Sequence, residues 1–212
     1  MIRSYYEQKS EAWYQERLGR ITGTRFKSLF MSPSTKGYQD LVNQVACEII
    51  FGDSENSVFI SEDMQNGIDR EPDARESYEL MFGEKVKEIG FCIPEEDEND
   101  YYDYLGCSPD GEVSNGIIEI KCPKITTHLS YISKGGVPKD YDSQVQGNLY
   151  ITGASFCDFI SYHPDAKLYV YREILRDEFI EQVELKLEAF ILDVKSVINY
   201  YKEYETIEFE EV

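Results

Sequence analysis

The sequence predicts an α/β fold, a mixed sheet of five strands flanked by helices, on a single domain covering residues 1–212. Three observations predict it. Stretches with apolar residues at helical period alternate with short runs of period two, in the order helices, three strands, helix, two strands, helix. The run Gly116 to Lys121 is rich in β-branched residues and is closed by Pro123, which reads as a strand. Finally, 212 residues with 42% hydrophobic content suffice for one large core.

Taken in order, residues 10–18 read as a helix capped by Ser10, with Trp13 and Leu18 as apolar contacts and Gly19 as its stop. Thr22 then caps a short second helix through Arg25, Phe26, Leu29 and Phe30, and Ser32 to Gly37 form a loop. Residues 38–51 set Leu41, Val42, Val45, Ala46, Ile49 and Ile50 at helical period. Residues 62–82 form a further helix through Met64, Ile68, Ala74, Tyr78 and Met81, kinked or restarted at Pro72 and ended by Gly83. Residues 85–93 alternate through Val86, Ile89, Phe91 and Ile93 as a strand, and the acidic run 95–100 is a solvated hairpin loop. A second strand from Tyr102 to Cys107 and the strand 116–121 complete an antiparallel meander. Residues 137–152 are helical, with Val145, Leu149 and Ile151 apolar. Strands 155–162 and 167–174 flank the turn at His163, Pro164 and Asp165. Residues 176–203 make a long acidic amphipathic helix with Phe179, Val183, Leu187, Phe190, Ile191, Val194, Val197 and Ile198 as its stripe. The core is therefore expected over 10–203, followed by an acidic tail over 204–212.

A net charge of −20 runs against a surface built for tight non-specific nucleic-acid binding, because phosphates recruit Lys and Arg. The charge is unevenly spread. Residues 1–36 hold seven basic and three acidic side chains, Arg17, Arg20, Arg25 and Lys27 among them, for a net +4, which leaves −24 elsewhere. A basic inner surface with an acidic exterior suits an enzyme that guides DNA along one route. Five scattered cysteines, an odd number without metal-ligand spacing, suggest free thiols in a reducing cytoplasm. His128 has no histidine partners and reads as a packing or surface residue rather than a zinc ligand. The first residues lack the apolar core of a signal peptide, and no run is apolar enough to span a membrane.

The chemistry concentrates in Ser108-Pro109-Asp110-Gly111 and the strand that follows. Pro fixes φ and Gly tolerates a positive one, so Asp110 is held at a bend. Alternation along the strand sets Ile117, Glu119 and Lys121 on one face and Ile118 and Ile120 on the other. Two carboxylates are hard oxygen ligands that suit Mg²⁺, and a neighbouring lysine can orient or deprotonate an attacking water. The set suits metal-assisted phosphodiester hydrolysis. The same spacing also fits a solvated Glu–Lys pair on an edge strand beside an unrelated turn acid.

Pro-Asp, a short gap and Glu-x-Lys together are the signature of the PD-(D/E)-x-K nucleases. The fuller string Cys107-Ser-Pro-Asp-Gly to Glu119-Ile-Lys-Cys-Pro resembles the phage lambda exonuclease, or YqaJ-type viral recombinase, family. Glu11-Ala12-Trp13, Arg17 to Thr24, Glu71 with Asp73-Ala74-Arg75, and Gln144-Val145-Gln146 follow the family's order. The resemblance implies the PD-(D/E)-x-K fold. It also implies a 5′→3′ exonuclease that degrades one strand of linear duplex DNA to 5′-mononucleotides, leaving a 3′ overhang for a single-strand annealing protein. It implies a toroidal homotrimer in the cytoplasm of a phage or prophage host. Asp110 and Glu119, with the Ile120 carbonyl, would hold Mg²⁺, for which Mn²⁺ could substitute. Lys121 would position the water, and Glu71 would assist from a neighbouring helix, although the family pattern has no proline after that acid. Arg17, Thr24, Ser108 and Gln144 match positions that hold the 5′-phosphate, and Met64 falls near a residue that wedges between base pairs. Alternatives are an endonuclease or a repair nuclease of other polarity on the same site, or a DNA-end-binding module without catalysis.

Overall fold

The structure, a computed structural model, describes residues 2–4, 6–53, 62–94 and 100–204. The acidic run at 95–99, the tail from 205 and the Met64 side chain lie outside the described residues. In chain order the elements are β1 (Ile2–Arg3), α1 (Glu11–Arg17), α2 (Arg25–Leu29), α3 (Lys36–Phe51), α4 (Glu62–Phe82), β2 (Cys92–Ile93), a 3₁₀ turn (Asp100–Tyr104), β3 (Gly111–Val113), β4 (Gly116–Lys121), α5 (Ile125–Lys134), α6 (Lys139–Thr152), β5 (Phe156–Ser161), β6 (Tyr169–Glu173) and α7 (Asp177–Glu203). No helix among the described residues is long and apolar enough to cross a membrane.

The fold is the mixed α/β arrangement the sequence predicts, but among the described residues its main sheet has four strands, in the order β3-β4-β5-β6, rather than five. β3 and β4 form an antiparallel hairpin, β4 and β5 run parallel, and β5 and β6 are antiparallel. The parallel step needs a crossover, which α5 and α6 supply.

Of the strand expected over 85–93 only the end forms, as β2, and 102–107 forms no strand. Their residues pair with several partners one or two at a time. Lys87 bridges Glu112, Cys92 bridges Cys107, and β2 pairs with β1. Ile21 claims the second stretch by a parallel bridge to Leu105, and residues 100–104 wind into the 3₁₀ turn. Of the expected three-strand meander only β4 enters the main sheet, and its antiparallel neighbour there is β3, which the sequence reading does not anticipate. Gly90 is needed where it stands, because a Cβ there would lie 2.3 Å from the Tyr6 carbonyl oxygen.

The helices follow the sequence closely. Ser10 caps α1 by accepting from the Trp13 amide at 3.3 Å, a cap of the kind that contributes about 1 kcal/mol. The second helix starts two residues later than expected, with Thr24 at its N-cap position but making no capping bond, and the Thr22 hydroxyl is used elsewhere. α4 runs through Pro72 without ending, and α5 was not anticipated. α7 buries Phe179, Val183, Leu187, Phe190, Ile191, Val194 and Ile198 against α2, α3 and Ile151 of α6.

The two faces of β4 pack against different helices. Ile118 and Ile120 meet Ala74 and Tyr78 of α4, whereas Ile117 meets Val145 and Leu149 of α6. On the α4 side the buried Asp158 of β5 accepts from the Tyr78 hydroxyl at 2.7 Å and from Arg172 at 2.8 and 2.7 Å. This joins α4 to β5 and β6. His128 is buried, with Nδ1 at 2.8 Å from the Ser161 hydroxyl and Nε2 at 3.0 Å from the Lys167 carbonyl, so it packs α5 onto the sheet.

Candidate active site

The strand alternation that puts Ile117 on the α6 face also puts Glu119 and Lys121 there. Glu119 is 1% exposed. Its carboxylate accepts from Lys121 Nζ, from Gln144 Nε2 at 2.5 Å and, through the other oxygen, from Asn148 Nδ2 at 3.0 Å. Lys121 Nζ also lies 5.2 Å from the centre of the Tyr141 ring. Tyr141, Gln144 and Asn148 are spaced i, i+3 and i+7, so one stripe of α6 faces the Glu–Lys pair.

Asp110 reaches the same strand end from the turn before β3. Its amide donates to the Ile118 carbonyl at 3.1 Å, and its Oδ2 accepts from the Ile120 amide at 2.6 Å. The Ile120 carbonyl leaves the strand along the same edge as its amide, toward Asp110. Gln8 steadies the bend by donating to the Pro109 carbonyl at 3.1 Å and the Ile89 carbonyl at 2.9 Å.

Glu71 lies on α4 one turn before Ala74. Burial first, and then the charge of Asp110, raise its carboxyl above the usual range, with Lys9, Lys121 and Arg75 opposing. Arg75 ties the helix to the bend, donating to Glu88 at 2.6 Å and to the Asp110 carbonyl at 3.4 Å.

Burial pushes the Glu119 carboxyl up to about 7, with Asp110 and Glu71 adding to the rise and Lys121 opposing it. Burial works against the Lys121 charge, yet Glu119 and Asp110 hold its ammonium above the ordinary lysine value. Three acids around one ammonium leave negative charge that a bound cation would neutralise. Among the described residues no three His, Cys, Asp or Glu side chains close into a ready metal cage. The donor set of two carboxylates and a strand-end carbonyl is nevertheless all oxygen, the chemistry a hard divalent cation prefers when it keeps several waters.

A second group adjoins the first. Arg17 donates to the Ser108 hydroxyl at 3.3 Å and to the Thr22 hydroxyl at 3.1 Å, and its guanidinium stacks 4.1 Å from the centre of the Trp13 ring. The Trp13 indole N–H reaches the same Ser108 hydroxyl at 2.9 Å. Burial, and next the charge of Arg25, bring Arg17 down to about 10, still protonated at neutral pH. Gln144 lies beside the Gly23 loop, where a Cβ on Gly23 would be 3.5 Å from its Nε2. Thr24 follows on that loop, exposed, its side chain making no capping bond.

The structure therefore gathers Asp110, Glu119, Lys121 and Gln144 around β4, sets Glu71 near them, and joins Arg17 to Ser108. Thr24 stands at the rim without a contact to the others. Arg20 and Arg25, grouped with Arg17 by sequence, serve the fold. Arg25 pairs with the buried Glu48 at 2.5 Å, and Arg20 donates to the carbonyls of Asp103 and Leu105 at 2.6 and 3.0 Å.

A family model described as the YqaJ-like viral recombinase domain matches residues 12–155, which hold every residue of both groups. The chain belongs to the YqaJ-like viral recombinase domain family. Among solved structures, this YqaJ-like chain is similar to an alkaline exonuclease (LHK-Exo) from Laribacter hongkongensis. Identity is 31% and the TM-score 0.80, over 91% of this chain and 96% of that one. The structure of LHK-Exo in complex with dAMP matches equally well. A phage related exonuclease from Haemophilus somnus 129PT, at 17% identity and a TM-score of 0.62 over 86% of this chain and 96% of that one, shares the fold. No curated protein matches the chain.

Reading the YqaJ-like sequence by itself misses Asn148 and Tyr141, and leaves Thr22 and Trp13 as a cap and an apolar contact. The signal available was the stripe through Tyr141, Gln144 and Asn148, polar residues on a helix whose apolar residues lie beside them.

Proposed function

We propose that the chain is a Mg²⁺-dependent exonuclease that degrades one strand of linear double-stranded DNA from its 5′ end, releases 5′-mononucleotides and leaves a 3′ single strand for an annealing protein. The observation that carries this reading is the strand end where Asp110, Glu119 and Lys121 meet, next to the Arg17–Ser108 pair. Family membership and the likeness to an alkaline exonuclease support a nuclease acting on DNA. The relative's complex with dAMP supports a deoxynucleoside monophosphate as product.

Asp110, Glu119 and the Ile120 carbonyl would hold Mg²⁺, or Mn²⁺ in its place, which when bound supplies a water acidified toward hydroxide and charge compensation on a phosphoryl oxygen. Lys121, fixed between Glu119 and the face of Tyr141, orients the attacking water toward phosphorus. Glu71 faces the same space from α4 and accepts a hydrogen bond from that water. Arg17 presents two guanidinium donors in a plane, a geometry matched to phosphate oxygens, Ser108 offers a hydroxyl beside it, and Thr24 would add one from the Gly23 loop. Gln144, bound to Glu119 and set beside the Gly23 loop, couples the end-binding group to the cleavage group. A toroidal homotrimer in the cytoplasm, closed around duplex DNA, accords with processive digestion by a chain whose exterior is acidic.

The test is digestion of linear duplexes labelled at one 5′ or one 3′ end, in Mg²⁺. Early release of the 5′ label as mononucleotide is expected. Cleavage of closed circular DNA, or early release of the 3′ label, would favour the alternative polarity or an endonuclease.

A further inference from the structure

We propose that Asn148 is a positioning residue for metal binding, the group that fixes the second oxygen of Glu119. This rests on the reading of Glu119 as a metal ligand. Lys121 and Gln144 both donate to Oε1 of Glu119, and among the described residues Asn148 alone donates to Oε2. Without Asn148 the carboxylate could swing about the Oε1 contacts, because a carboxylate torsion is soft.

Asn148 is 1% exposed, one turn after Gln144 on the same face of α6. Its Oδ1 is buried with no protein partner. A core position filled for packing alone would avoid such an orphan, since an unsatisfied buried acceptor is destabilising. The opposite amide orientation would set Oδ1 against a carboxylate oxygen, so the donor end faces Glu119. The residue thus bears an orphaned acceptor while holding one ligand oxygen still. Outer partners of this kind, when removed, typically cost ten- to hundredfold in metal affinity.

The experiment uses the full chain as wild type, Asn148→Ala, Asn148→Leu and Glu119→Gln. Leu keeps the branched outline of Asn without its donor, so one of the two position-148 variants remains informative if the other does not fold. Mn²⁺ affinity is measured by calorimetry, the thermal midpoint without metal by circular dichroism, and digestion of linear duplex across a Mg²⁺ series. The folded position-148 variant should bind Mn²⁺ roughly tenfold more weakly. It should need correspondingly more Mg²⁺ for half-maximal rate, and recover most of the wild-type rate at saturation. Glu119→Gln should lose Mn²⁺ binding. Wild-type Mn²⁺ affinity in the position-148 variant, with Glu119→Gln still defective, would overturn the role of Asn148 and leave the nuclease reading standing. Wild-type affinity in Glu119→Gln would overturn both.

Discussion

Glu119 and Lys121 stand on one strand face, with Asp110 held to the strand end by hydrogen bonds to the Ile118 carbonyl and from the Ile120 amide, so each has a distinct loss on truncation. Asp110→Ala, Glu119→Ala and Lys121→Ala should each abolish Mg²⁺-dependent cleavage through several kcal/mol of lost transition-state stabilisation, with circular dichroism unchanged. Ca²⁺ should bind but support little turnover, because it tolerates loose geometry where Mg²⁺ demands octahedral order. Full activity in EDTA would remove the metal from the scheme. Arg17→Ala should slow digestion of 5′-phosphorylated duplex strongly and of 5′-hydroxyl duplex little, and Arg17→Lys should restore the preference only in part, since lysine lacks the fork. A two-by-two rate comparison checks this, and equal slowing on both ends would make Arg17 a structural residue. At this scale the sequence discloses what is local. Turn chemistry and period two expose Asp110, Glu119 and Lys121. Arg17 meets Ser108 across 91 residues, and only the resemblance suggested that pairing. Asn148 is marked only by its step of one turn from Gln144, a sign too weak to read without the strand it faces.

α6 carries Tyr141, Gln144 and Asn148 toward β4 and packs its other side on α2, where Gly147 makes the approach possible. A Cβ at Gly147 would lie 2.6 Å from the Phe26 ring. Gly→Ala inside a helix ordinarily gains about 1 kcal/mol. Gly147→Ala should instead destabilise by roughly 1–3 kcal/mol through overpacking, and should lower nuclease activity as the polar stripe shifts. Urea denaturation gives the sign, and a rise in stability would mean the Phe26 ring moves aside at little cost. The long periodic helices α3 and α7 are legible in the sequence because each sets its stripe toward one packed surface. α5 is not, because its apolar residues mislead. Leu129 and Ile132 are exposed and His128 is the buried residue. The stretches 85–93 and 102–107 alternate like strands, but alternation reports burial on one side and not the presence of a continuous partner.

For the molecule as a whole, the acidic exterior is visible along α7, where Asp177, Glu178, Glu181, Glu184 and Glu188 are exposed. The expected basic inner surface is narrower than charge counting suggests, because Arg20 and Arg25 are held by internal partners. Light scattering should return the mass of a trimer, and a monomer at every working concentration would leave processivity without a physical basis. One feature of the sheet bears on how the protein is made. β3 is joined to β4 by two residues, but β5, which closes the other edge of β4, follows only after α5 and α6. Such sequence-distant pairing forms slowly. A nascent chain that has reached residue 152 already holds Asp110, Glu119 and Lys121, but β4, which carries the last two, still has one edge open. The strand that carries Glu119 and Lys121 is therefore closed on both edges only when roughly the last quarter of the chain remains to be made.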